Sequence, residues 1–151
     1  MAQRGVILLL SGPNLNLLGQ REPETYGTET IEQHVSAARA AAETAGFRLE
    51  HTQSNHEGDL VEAIQAARDR YAAIIINPAS FTHYAWALHD AVAMFDGPVI
   101  EVHISNPNAR EPWRHTSVVS PVATGTIMGL RGHGYVLAVE AIDRLLSEPS
   151  R

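Results

Sequence analysis

The sequence predicts an α/β domain with a five-stranded parallel sheet covered by helices on both faces. Three observations carry this. Short apolar runs alternate along the chain with longer stretches of helical periodicity. The runs, above all VILLL and AAIIIN, are apolar almost throughout rather than at every second position, as strands buried on both faces require. The length of 151 residues suits one compact domain with a sizeable core.

The elements follow in order. Val6–Leu10 is the first strand. Ile31–Ala45 is Ala-rich with helical spacing and stops at Gly46, a C-cap residue. Phe47–Gln53 alternates as the second strand, and Leu60–Tyr71 is helical. Ala72–Asn77 is the third strand. Thr82–Phe95 is a helix ended by Asp96-Gly97-Pro98. Val99–Ile104 and Val122–Met128 are the fourth and fifth strands, and Tyr135–Leu146 is the last helix. Glu148–Arg151 reads as a flexible tail on a single domain spanning 1–151. Five strands at this length suggest a flavodoxin-like three-layer sandwich with strand order 2-1-3-4-5. A Rossmann half-domain is the alternative.

Composition narrows the function. The net charge of −6 argues against sequence-independent binding to nucleic acid or anionic membranes. No apolar run approaches the roughly 18 residues that cross a bilayer, and the N-terminus lacks a signal-peptide layout. The absence of Cys excludes disulfide and thiolate chemistry and fits a cytoplasmic protein. The cations are Arg rather than Lys, and several lie in loops, which favours a small carboxylate or hydroxyl ligand recognised by planar forks.

In open parallel sheets, ligands sit beyond the carboxyl ends of the strands near the switch in strand order. Polar residues collect at those ends: Asn14 after the first strand, Asn77 after the third with Phe81-Thr82-His83 beyond it, and Glu101 to Ser105 at the fourth. The sixteen residues Gly12–Gly27 (GPNLNLLGQREPETYG) form an unusually long connection that carries Arg21 and Tyr26. A guanidinium beside a phenol favours the phenolate and so makes a base of a weak acid. A packing tyrosine and a solvated arginine are the plainer reading. Glu101 and His103 stand two apart on one strand, so both point to one face while Val102 points to the other. Such a pair is either an oriented general acid or an ion pair capping a strand. Arg110 and Arg114 would share a face if Ala109–His115 were helical, and could clamp an anion or diol. A solvated charged face is equally open. Eight His raise the question of a metal, but no pair has the HExxH layout. Gly129–Gly134 reads as a tight turn.

The segments GPNLNLLGQREPETYG, QSNHEGDLVEAI, INPASFTHYAWALHDA, EVHISNPNAREPWRH and SPVATGTIMGL span nearly the whole chain. In these segments the chain resembles the type II 3-dehydroquinate dehydratases, the small dehydroquinases of the shikimate pathway. The resemblance implies a flavodoxin-like hydro-lyase that uses no metal and no organic cofactor and assembles as a homo-dodecamer, a tetramer of trimers. It implies anti elimination of water from 3-dehydroquinate through an enolate, giving 3-dehydroshikimate, in aromatic amino-acid biosynthesis or quinate breakdown. Tyr26 would be the base, Arg21 would hold it ionised on a moving lid, His103 would protonate the departing hydroxyl, and Glu101 would orient His103. Asn14 would help stabilise the enolate. Asn77 and the backbone N–H groups of Ile104 and Ser105 would hold the substrate carboxylate, and His83 and Arg114 the ring hydroxyls. Asp90 would reach the site of a neighbouring subunit. No role carries onto Arg110. Ser80, Ala85, Trp86, His89 and Arg131 depart from the family pattern outside this acid–base set.

Overall fold

The computed structural model describes residues 2–149. Its strands are β1 (Val6–Ser11), β2 (Arg48–Gln53), β3 (Ala73–Asn77), β4 (Val99–His103) and β5 (Gly125–Met128). All pair in parallel in the order β2-β1-β3-β4-β5, as the sequence predicts. The helices are α1 (Pro23–Tyr26), α2 (Ile31–Thr44), α3 (Glu57–Ala67), α4 (Trp86–Ala93) and α5 (His133–Ser147). Side-chain alternation splits the core into two layers. Ile7 and Leu9 of β1 and Ala73 and Ile75 of β3 pack with α2 and α5. Leu8, Leu10, Ile74 and Ile76 pack with α3 and α4. None of the helices among the described residues is long and apolar enough to cross a membrane.

Local chemistry sets the helix ends. Thr30 and Gln33 form a reciprocal capping box at the start of α2. At its end Gly46 takes φ 89°, and the N–H groups of Gly46 and Phe47 donate to the carbonyls of Glu43 and Ala42 at 3.0 and 2.8 Å. That is a Schellman cap, and it delivers the chain directly into β2.

Four boundaries differ from expectation. The helix expected over Thr82–Phe95 is a 3₁₀ turn, Ala79–His83, followed by a break and then α4. The carbonyl of Thr82, which a continuous helix would offer to Trp86, instead accepts the Val118 N–H at 2.7 Å. The stretch expected as Leu60–Tyr71 begins at Glu57 and stops at Ala67, before Asp69 at φ 63°. The fifth strand starts at Gly125 because Ser120–Val122 closes a 3₁₀ turn around Pro121. Ala109–His115 is not a helix. Pro112 holds Glu111 extended and starts a separate 3₁₀ turn, Pro112–Arg114. Of the expected tail, Ser150 and Arg151 lie outside the described residues. Glu148 is tied to α5, its N–H donating to the Arg144 carbonyl at 3.1 Å and its carboxylate accepting from Arg144 Nε at 2.7 Å.

The register brings the carboxyl ends of the central strands to one edge. Ser11 stands beside both Gln53 and Asn77, and Ile76 beside Glu101. Gly12 sits where β1 and β3 part. Its N–H donates to the Asn77 carbonyl at 2.8 Å, and a Cβ there would stand 2.5 Å from the Pro78 carbonyl oxygen. Since the obstacle is backbone, Gly12→Ala should force the strand ends apart and cost roughly 1–3 kcal/mol of stability, read as a lower midpoint in urea unfolding.

Candidate active site

A crevice of about 210 Å³ opens at this edge, lined by Asn14, Arg21, Tyr26, Asn77, His83, His103, Ile104, Ser105, Arg110 and Arg114. Nine of these ten carry roles implied by the resemblance, and the tenth, Arg110, was expected only as a possible clamp beside Arg114. The crevice lies beyond β1, β3 and β4, beside the reversal of strand order between β1 and β3.

One wall is the connection from β1 to α2. Its polar start is pinned: the Asn14 N–H donates to Asn55 Oδ1 at 3.0 Å, and Asn14 itself takes φ 69°. Farther on, the single turn α1 begins at Pro23 and ends at Tyr26, which places the phenol over the crevice. Two guanidiniums surround it. Arg110 Nη1 donates to Tyr26 Oη at 2.9 Å and to Ser105 Oγ at 3.0 Å. Arg21 Nη2 is 3.5 Å from the same oxygen and also donates to Glu22 at 3.0 Å. The two guanidinium carbons lie 4.5 Å (Arg21) and 5.3 Å (Arg110) from the ring centroid. The cation expected at Tyr26 was Arg21. The shorter bond comes from Arg110, 84 residues away in sequence. Pairing across that separation leaves no local signal beyond Arg110 lying in an Arg-bearing loop.

Facing this wall is the carboxyl end of β4. Alternation puts Val102 in the α2/α5 layer and Glu101 and His103 on the opposite face. Glu101 is fully buried, and His103 Nε2 is 2.5 Å from its Oε2. Thr82 Oγ1 donates to Oε2 and Ser120 Oγ to Oε1, each at 2.6 Å, and Ser117 Oγ adds longer contacts at 3.3 and 3.4 Å. Burial alone would raise the carboxyl pKa. The His103 bond and charge, with the Ser120 and Thr82 hydroxyls, outweigh it and hold the pKa below its usual value. Because an ionised carboxylate only accepts, Nε2 of His103 carries the proton toward Glu101 and Nδ1 is left for the crevice. The hydroxyl donors around Glu101 were not singled out from the sequence, since Ser and Thr in loops carry no distinctive spacing.

The floor is Asn77, buried at the end of β3. Its Oδ1 accepts the Ala79 N–H at 3.1 Å, and its Nδ2 donates to Tyr135 Oη at 2.8 Å. His83 Nδ1 donates to the Thr116 carbonyl at 2.7 Å, so Nε2 of the neutral ring is an acceptor. Burial pushes its pKa down and the charges of His103 and Arg114 add to this, against the Thr116 carbonyl, which favours the charged ring. Arg114 is held by Glu111 at 2.5 Å and stacks 4.0 Å over Trp113. Two predicted residues do not line the crevice: Glu101, buried behind His103, and Asp90. Asp90 lies on α4 with its side chain 80% exposed, beside His89.

The family model described as dehydroquinase class II matches residues 5–143. A 3-dehydroquinate dehydratase of Bacillus licheniformis is 53% identical over 133 residues, covering 88% of this chain and 92% of the relative. A catabolic 3-dehydroquinase of Aspergillus clavatus is 52% identical over 136 residues, covering 90% and 91%. The crystal structure of a type II dehydroquinase from Propionibacterium acnes superposes with a TM-score of 0.89 at 40% identity, covering 95% of this chain and 99% of that one.

The titratable groups set an acid limit on stability. Burial holds His34 and His51 below the ordinary imidazole value of 6.5, so the folded state resists charging them. Their contribution is whole above pH 6.5 and is lost as pH falls through the lowered values. Glu101 adds a second loss, beginning below 4.5 as pH falls through its own lowered value. Thermal unfolding should show Tm falling from pH 7.5 to 5.5 and again toward pH 4. Glu101→Gln should flatten the lower stage only.

Proposed function

The chain belongs to the dehydroquinase class II family, and we propose that it dehydrates 3-dehydroquinate to 3-dehydroshikimate in the crevice beyond β1, β3 and β4. The observation that carries this reading is one phenol oxygen bound by two guanidiniums in the crevice that also holds a carboxylate-bound imidazole. A binding module would need neither.

Tyr26 is the base. As phenolate it takes the proton from the carbon beside the ketone, and the resulting charge passes to the ketone oxygen as an enolate. Arg110 and Arg21 reach its oxygen at 2.9 and 3.5 Å, where they stabilise negative charge on it during the step. Hydroxide is a poor leaving group, so the second half needs a general acid. His103 supplies it from Nδ1 while Glu101 balances the imidazolium through Nε2. The hydroxyl leaves as water, the enolate collapses to the conjugated enone, and the Tyr26 proton returns to His103 through solvent. Asn14 stabilises the enolate, where preorganised donors count more than in the ground state. Asn77 with the N–H groups of Ile104 and Ser105 holds the substrate carboxylate, and His83 and Arg114 hold ring hydroxyls. The loop bearing Arg21 and Tyr26 closes as a lid and excludes water. No step calls for a metal or an organic cofactor.

The whole chain is read as one such domain working in the cytoplasm. It assembles as a homo-dodecamer, a tetramer of trimers, in which Asp90 completes a neighbour's site. The exposed Tyr84, Trp86 and Met94 flanking Asp90 support a partner surface there.

Purified protein should convert 3-dehydroquinate with the rise in ultraviolet absorbance of a conjugated enone, and EDTA should leave the rate unchanged. Tyr26→Phe should nearly abolish turnover and leave substrate affinity largely intact. His103→Ala should lower kcat about 10²–10⁴-fold. An increase confined to KM would remove His103 as the acid. Arg110→Ala should lower kcat/KM at least as much as Arg21→Ala, each by about tenfold or more, as loss of a charged hydrogen bond predicts.

A further inference from the structure

We propose that Tyr135 is a positioning residue for Asn77, fixing its amide so that one N–H remains for the ligand carboxylate. The inference rests on reading Asn77 as a carboxylate donor.

It follows from counting donors and acceptors. An Asn amide offers two N–H groups and one carbonyl oxygen. The Ala79 N–H can only donate, so the atom it meets at 3.1 Å is Oδ1, and the amide cannot be flipped. Nδ2 is then on the other side, where it donates one N–H to Tyr135 Oη at 2.8 Å. Its second N–H is the one donor left on a side chain that lines the crevice and is 2% exposed. Without an acceptor at Tyr135 the amide would be held at one point and could turn about its last bond. The alternation of β3 makes the contact possible. Asn77 points to the α2/α5 layer, as Ala73 and Ile75 do, and meets Tyr135 on the first turn of α5.

The phenol is itself fixed. Tyr135 is fully buried, and its ring lies 5.7 Å from the His34 ring of α2 at 32°. Gly132 packs against that imidazole with no room for a Cβ. Ala79, which sets the other end of the amide, takes φ 51°, a conformation L-residues hold only where their surroundings require it. Tyr135 does not compete with Tyr26 as a base, because burial pushes its pKa up to about 12 against the small opposing effect of Asn77.

Tyr135→Phe keeps the ring and removes the acceptor. It should be assayed with 3-dehydroquinate beside Asn77→Ala and the double variant. KM should rise about tenfold in Tyr135→Phe, with kcat lowered by less. In the Asn77→Ala background the same change should add almost nothing. If Asn77→Ala raises KM but Tyr135→Phe does not, or if the two effects multiply, positioning by Tyr135 is wrong while the role of Asn77 stands. If Asn77→Ala leaves KM unchanged, the carboxylate reading fails and the inference falls with it. Should Tyr135→Phe not fold, 3-fluorotyrosine at position 135 weakens the acceptor at nearly the same volume. KM must then still rise, and an unchanged value overturns the proposal.

Discussion

The carboxylate of Glu101 has no exposed surface, and much of the structure around the crevice exists to satisfy it. An ion taken out of water costs several kcal/mol unless hydrogen bonds replace its hydration. Here the replacement comes from three places in the chain: His103 on the same strand, Thr82 in the turn after β3, and Ser117 and Ser120 in the segment before β5. Meeting that demand shapes the backbone. Thr82 turns its hydroxyl to Glu101, and its carbonyl accepts from Val118, so the helix after β3 cannot run straight through. Next to them, His83 donates to the Thr116 carbonyl and Arg114 to Glu111 at the crevice edge.

Two tyrosines show how environment divides one side chain between two tasks. Tyr26 is half-buried on a single helical turn in a long connection and faces two guanidiniums. Tyr135 is buried in the first turn of a full helix with an amide for a partner. The first has two cations at its oxygen, and the second is kept neutral by its burial. On the proposed mechanism this division matters, because a base must change charge each turnover while the group that orients a substrate must not move.

The placement of Arg110 ties one wall of the crevice to the other. It holds Tyr26, from the connection after β1, and Ser105, from the end of β4, with one nitrogen. The Arg21 contact stays within that connection and is shared with Glu22. Tyr26, bound from both sides, is tied to the end of β4 as well as to its own connection.

Sequence alone determined the layer order, the five strands and most of the crevice. Continuous apolar runs can only be buried on both faces, period-two alternation sends Glu101 and His103 to one side, and parallel strands bring their carboxyl ends to one edge. Gly46 marked its helix end because the cap is local chemistry. Only the tertiary structure decided the break between Ala79–His83 and α4, the length of β5, the cation that makes the shorter bond to the Tyr26 oxygen and the partner of Asn77. The Pro121 turn sets the start of β5, and each of the others depends on a hydrogen bond between residues far apart in the chain. Such bonds are set by where the layers place two groups in space, which no spacing in the sequence records.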